Sequence, residues 1–375
     1  MIEVKAIPPK RSELKKFTQF QIDLYKGNDC YVPPLVKDDV DTLDPKSNPA
    51  FDFCEAQCFM AYRDGKPAGR VAGIINNQVN TRTGKRDARF GFIDFIDDPE
   101  VSAALMKAVE DWGRSKGMTR MIGPLGFTDL DHEGMLVEGF DELSTMATIY
   151  NYPYYNDHIT RLGYAKEADW VEFVMTVPEG IPEKFNRIAD IVKKKFNLRV
   201  LKFSSRKEIK EKYGRKLFEL INNAYDALYE YSPLTDRQIE HYIDVYLNLL
   251  NLDLVSLVVD KDDELVAVGI SMPSMSRALQ KSKGKMFPTG WWHLLKGLKG
   301  KNDRVDLLLV AVRPDYQSKG VNALLFQDLI PQYLKYGYKF AESNPELETN
   351  GKVQGQWEYF QHRQHRRRRS YAKNL

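Results

Sequence analysis

Apolar and polar positions follow two periods along this chain, and the same order of elements occurs twice. A helical run over 12–25 leads to a turn at Pro33 and Pro34. Residues 58–62 and 68–75 flank Arg63-Asp64-Gly65-Lys66-Pro67, and Asp-Gly between two β-like runs is a hairpin signal. A third strand over 89–96 stops at Asp97-Asp98-Pro99. Val101, Ala104, Leu105, Ala108, Val109 and Trp112 then recur at the spacing of one helix face, which Gly117 ends. A strand over 118–122, a long polar stretch, a helix over 154–162 and a strand over 169–176 complete this half.

Val177-Pro178-Glu179-Gly180-Ile181-Pro182 breaks both periods and reads as a linker. Helical runs over 182–196, 206–229 and 236–250 follow, then a hairpin with strands 254–259 and 264–271. A strand over 305–312 enters a helix over 320–336, followed by a strand at 338–341, a helix over 350–360 and a last strand near 368–372. The pattern predicts a duplicated mixed α/β fold, with one domain over 1–178 and a second over 179–375.

Composition agrees with two folded domains. Hydrophobic residues make up 43% of the 375, aromatics 12%, and no run approaches the ~18 apolar residues of a membrane span. Cys30, Cys54 and Cys58 show neither paired nor zinc-like spacing, and the histidines are scattered, so no metal is expected. The start of the chain lacks the apolar core of a signal peptide, and a cytoplasmic setting is the expectation. Lys and Arg number 55 against 52 Asp and Glu, yet the last fifteen residues hold six bases and no acid. Basicity is therefore confined to one end.

The chemistry is concentrated in Leu307-Leu308-Leu309-Val310-Ala311-Val312-Arg313-Pro314-Asp315-Tyr316-Gln317-Ser318-Lys319-Gly320-Val321-Asn322-Ala323-Leu324-Leu325. A buried strand turns through a small polar loop into a helix. The N–H groups at that helix start, with the dipole and Lys319, suit a phosphate or pyrophosphate, and Gly320 allows close backbone approach. These residues resemble the diphosphate loop of the GNAT superfamily of acyltransferases, Arg/Gln-x-x-Gly-x-Gly/Ala between a strand and a helix. Gln317 and Gly320 match; Asn322 stands where the family has Gly or Ala, and Pro331 falls inside the helix.

The resemblance implies two tandem GNAT-like acyl-CoA N-acyltransferase domains with acetyl-CoA or a longer acyl-CoA as donor. Val310, Ala311 and Val312 would meet the pantetheine arm. Gln317, Ser318, Lys319, Gly320, Val321, Asn322 and Ala323 would hold the diphosphate, and Asn350 matches a family asparagine. In the first half the equivalent loop is Asp97-Asp98-Pro99-Glu100, whose carboxylates would repel a diphosphate. That half is expected to lack the donor.

The family's thiolate-protonating Tyr is replaced here by Trp357, with Tyr359 two residues on. For the base, Glu342 follows a strand at the carboxyl end where α/β sites gather. A second acidic region is Gly123-Pro124-Leu125-Gly126-Phe127-Thr128-Asp129-Leu130-Asp131-His132-Glu133-Gly134, in which Glu133 and His132 are the candidates. A solvated polar turn is the plainer reading of that loop.

The insertion 272–303 sets Arg277 and six lysines around Phe287, Trp291, Trp292, Leu294, Leu295 and Leu298. Such a segment suits a peripheral membrane surface or a long acyl chain, or else packs its tryptophans on the core. Gly123-Pro124, Glu133-Gly134 and Glu138-Gly139-Phe140-Asp141 resemble a group of bacterial double-GNAT proteins, some of which acylate sphingoid bases. A small-molecule or lipid amine is then the implied acceptor. The run His362 to Arg369 admits nucleic-acid binding, but its alternation favours a basic edge strand. A catalytically inactive CoA-binding protein is the further alternative.

Overall fold

The computed structural model describes residues 1–247, 249–299 and 301–375. The chain divides into two compact units. The first comprises Met1–Val171, Met275–Lys296 and His365–Leu375, and the second Glu172–Ser274 and Gly297–Gln364. Two stretches expected in the second domain, one inside the basic insertion and the other the C-terminal strand, are grouped instead with the first unit.

In chain order the elements begin with β1 (Ile2–Ile7), α1 (Arg11–Leu24), α2 (Val36–Leu43), β2 (Cys54–Arg63) and β3 (Lys66–Asn76). Next come α3 (Asn77–Thr83), β4 (Asp87–Phe95), α4 (Pro99–Ser115), β5 (Arg120–Gly123), β6 (Met135–Glu138), α5 (Tyr154–Arg161) and β7 (Ala165–Thr176). Then follow α6 (Glu183–Lys195), β8 (Arg199–Leu201), α7 (Arg206–Tyr225), α8 (Asp236–Tyr246), β9 (Val255–Val259) and β10 (Leu265–Pro273). The chain closes with α9 (Ser276–Ser282), α10 (Gly290–Lys299), β11 (Arg304–Val312), α11 (Asn322–Tyr336), β12 (Phe340–Ser343), β13 (Glu346–Leu347), α12 (Gly351–Gln354) and β14 (His362–Asn374).

Alternation along the strands gives each unit two apolar layers. In β3, Val71 and Ile75 join the cluster built with α4 and α5, while Ala72 and Ile74 join the one built with α1 and α2. In β9, Val255, Leu257 and Val259 face α7 and α8, and Val258 faces α6 and α11. The two units use the same device. β4 runs parallel to β5 over only Asp87 to Arg89, and β11 runs parallel to β12 over only Arg304 to Leu307; each pair then parts.

Three expectations need correction. The helix expected over 350–360 is a short α12 followed by a 3₁₀ turn at Trp357–Tyr359, since Gly351 and Gly355 weaken it. The basic C-terminal strand is no edge: β14 lies between β5 and β7, with β6 also paired to it. Its charges are absorbed there. Arg366 and Arg368 are fully buried and donate to the carbonyls of Leu143 and Ile149, and Arg367 and Arg369 converge on Asp169. The Trp-bearing helix does not pack its tryptophans into the core; Trp291 and Leu295 are exposed.

Candidate active site

In the second unit, β11 pairs with β10 on one side, and the register slips so that Leu308 is left over between Leu309 and Leu307. This bulge falls where the pairing with β12 ends, at Leu307 opposite Ser343. Bulges bend a strand and terminate pairing. The Asn344 side chain donates to the Leu308 carbonyl (2.7 Å) and fixes the point at which the strands separate. Leu307 to Val310 are only half-buried, although β11 is an interior strand. Ala311 turns into the core while Val310 and Val312 remain partly exposed. The strand edge expected to meet a pantetheine arm is therefore accessible within this unit.

At the end of β11 the loop is braced from below. Gln317 Nε2 donates to the Val312 carbonyl (3.1 Å), and Arg313 stacks on Tyr316 while pairing with Asp315 and Asp260. Ser318 and Gly320 adopt left-handed φ of 59° and 80°. A Cβ at Gly320 would lie 2.9 Å from Ile188 on α6, so conformation and space both require glycine here. No side chain caps α11. The N–H groups of Ala323 and Leu324 turn back to Gly320 and Val321, and among the described residues the N–H groups of Ser318, Gly320 and Val321 find no acceptor. The exposed Lys319 ammonium sits over the rings of Phe196 and Tyr316. Asn322 does not obstruct the loop, for its amide is turned to Gln356 (3.3 Å). Donors, dipole and cation thus converge on one turn, a combination suited to a diphosphate.

The acid and base candidates are distributed unevenly. Glu342, on β12, is buried and ion-paired with Arg304. Tyr359 packs on Phe185, with Lys184 over its ring (4.1 Å). Asn350 precedes α12 and provides no side-chain cap. Two residues that the sequence reading passed over are better situated. Glu346, three residues beyond the end of β12, accepts the indole N–H of Trp357 at 3.0 and 3.2 Å. Burial raises its pKa to about 8 against the opposing bonds from Trp357 and Ser343. Tyr225, the last residue of α7, donates its hydroxyl to the Val310 carbonyl (2.7 Å) on the separated part of β11. The signal for Glu346 was Trp357 itself, because a buried indole N–H requires an acceptor.

In the first unit the corresponding features are already satisfied from within. The Phe95 N–H donates to the Tyr155 hydroxyl (3.0 Å), and the Phe95 carbonyl accepts from Tyr154 (2.6 Å). The end of β4 is thus closed by tyrosines. Arg70 and Asp94 form a buried pair at 2.7 Å beneath Tyr25. The start of α4 is capped by Asp98, which accepts from the Glu100 N–H (3.0 Å), and Arg63 holds both carboxylates.

The loop after β5 is ordered by internal bonds. Asp131 accepts from the N–H groups of Phe127 and Thr128, and Arg89 and Asn76 donate to the Phe127 carbonyl. His132 Nε2 lies 3.0 Å from the Met146 carbonyl. Glu133 is half-buried, and loss of water together with the nearby Asp129 holds its carboxyl well above the usual range. Among the described residues no group of His, Cys, Asp or Glu is arranged to hold a metal ion, and no helix is long and apolar enough to cross a membrane.

No family model matches the chain. Protein YghO of Escherichia coli (strain K12) is 28% identical over 374 residues, 97% of this chain and 94% of that protein. Bacterial ceramide synthase of Caulobacter vibrioides (strain NA1000 / CB15N) is 29% identical over 320 residues, 84% of this chain and 82% of its own length. Among solved structures, a tandem GNAT protein from the clavulanic acid biosynthesis pathway superposes with a TM-score of 0.58 at 10% identity, covering 100% of this chain and 98% of its own. The chain has the tandem GNAT fold.

Proposed function

We propose that this protein is an acyl-CoA-dependent N-acyltransferase whose donor site is the divided strand pair and α11 loop of the second unit. The observation that carries this reading is the uncapped start of α11, where Ser318, Gly320 and Val321 present N–H groups beside Lys319. Those residues would bind the donor's diphosphate, and Val310 to Val312 would align its pantetheine arm along β11. The first unit, with Asp98 capping α4 and tyrosines on Phe95, is read as a partner without donor.

The acceptor is an amine. Glu346 is assigned as base: its carboxylate takes a proton from the ammonium, and the free amine attacks the thioester carbonyl. A C–N bond forms, the C–S bond breaks, and the proton shed by the attacking nitrogen ends on the leaving thiolate; Tyr225 is the assigned relay, giving its hydroxyl proton to sulfur and recovering one from nitrogen. A base with pKa about 8 suits an ammonium better than an ordinary carboxylate does. Glu133 is a second candidate, for holding the acceptor or moving its proton, with His132 adjacent. The ceramide synthase resemblance favours a long-chain lipid amine of the sphingoid type and a long acyl chain.

Thiol release from palmitoyl-CoA and acetyl-CoA in the presence of sphinganine and of small amines tests the reading. Release that depends on the amine is expected. Binding of CoA without release from any donor and amine pair would favour the inactive CoA-binding alternative. The buried Arg366 and Arg368 give no support to nucleic-acid binding, and a flat gel-shift titration is expected.

A further inference from the structure

The helix α10 has a composition that none of the acyl-transfer chemistry uses. Phe287 is 76% exposed, Trp292 50%, Trp291 47% and Leu295 43%, and only Gly290 of the helix is buried. A soluble protein seldom leaves two tryptophans and a phenylalanine in water within six residues. Trp291 and Leu295 lie four residues apart on one face, continued by the half-buried Leu298. Trp292 stands beside them with the Lys296 ammonium over its ring at 5.2 Å.

The charge along this segment has one sign. From 265 to 302 the sequence contains no aspartate or glutamate, while Lys281, Lys283, Lys285, Lys296, Lys299 and Lys301 are all exposed. The preceding helix is held firmly. Ser276 donates to the Ser144 carbonyl, and Gln280 to the carbonyls of Asp29 and Tyr31, all within the first unit. Trp291 Nε1 donates to the Pro288 carbonyl (3.0 Å), so the indole is oriented and its N–H is satisfied within the segment.

We infer that α10 and its flanking lysines form a peripheral docking element for an anionic lipid bilayer. Indole and phenyl rings partition into the headgroup boundary, and lysines beside them reach lipid phosphates while their stems cover apolar surface. A second copy of this chain is the poorer occupant, because a symmetric contact through this face would set six lysines against six. The inference does not depend on the acyl-transfer reading, and its test uses no activity.

Flotation of the full chain with phosphatidylglycerol-containing vesicles and with pure phosphatidylcholine vesicles tests it, using wild type and the double variant Trp291→Ser, Trp292→Ser. Wild type is expected to float with the anionic vesicles, less as salt is raised and little with the neutral ones. The double variant, checked for an unchanged melting temperature, should lose at least about tenfold in partition. Wild type left at the bottom of the anionic gradient, or a double variant that floats like wild type, overturns the inference. So does a dimer, seen by light scattering, that the double substitution dissociates.

Discussion

The indole N–H of Trp357 is shared between the two carboxylate oxygens of Glu346, at 3.0 and 3.2 Å. Trp357, which stands where the resemblance would put a tyrosine, therefore serves a neighbour. Trp357 is a positioning residue: it orients the carboxylate and partly offsets the cost of burying its charge. Trp357→Phe should push the Glu346 pKa above about 8, because burial would then be opposed by Ser343 without the indole. The acid limb of the kcat/KM profile should move to higher pH, with thiol release the assay. Glu346→Gln should lower kcat by about 10²- to 10⁴-fold while CoA still binds.

The same carboxyl affects stability. Its folded pKa lies above its unfolded value, so the folded state holds the extra proton and stability falls as pH rises from the unfolded pKa through about 8. Glu346→Gln removes that dependence. Melting curves should show the variant gaining on wild type above pH 8 and not near pH 4.

Gly320 needs a left-handed backbone and faces Ile188 closely. Gly320→Ala should destabilise the protein by about 1–2 kcal/mol in urea titrations. It should also weaken CoA binding, whereas Ser318→Gly, at φ 59°, should leave the fold intact.

Because tyrosine hydroxyls occupy both backbone groups of Phe95 and Asp98 caps α4, one CoA should bind per chain. Native mass spectrometry at saturating CoA measures this directly. A second equivalent would show that the first unit also binds the donor.

Asp169 is buried and receives Arg367 and Arg369. Burial alone would raise its pKa, but bonds from Arg369, Lys166 and Arg367 outweigh it and hold the carboxyl below its ordinary value. That contribution is present above the unfolded pKa and is lost as pH falls through the folded one. Asp169→Asn should cost about 3 kcal/mol at neutral pH, by urea denaturation, since it removes the buried carboxylate that Arg369 and Arg367 share, although Arg367 keeps Glu138.

Much of the fold was legible because its signals are local. The Asp64-Gly65 hairpin, the face from Val101 to Trp112, and the strand-loop-helix from Leu307 to Leu325 all follow from neighbouring residues. What escaped depends on partners far along the chain. Nothing in the arginine run around Arg366 tells that Leu143, Ile149 and Asp169 will absorb it between two strands. Glu346 reads as an ordinary acid after a proline until Trp357 closes over it eleven residues later. The β11 bulge at Leu308 appears only when the register with β10 is known.

Calorimetric titration of CoA into wild type and Lys319→Glu tests the central claim most directly. The amides opening α11, with that lysine, should give one saturable site in wild type that a carboxylate in the loop abolishes. Wild type that takes up no CoA, or a Lys319→Glu variant that binds it equally well, would contradict the account.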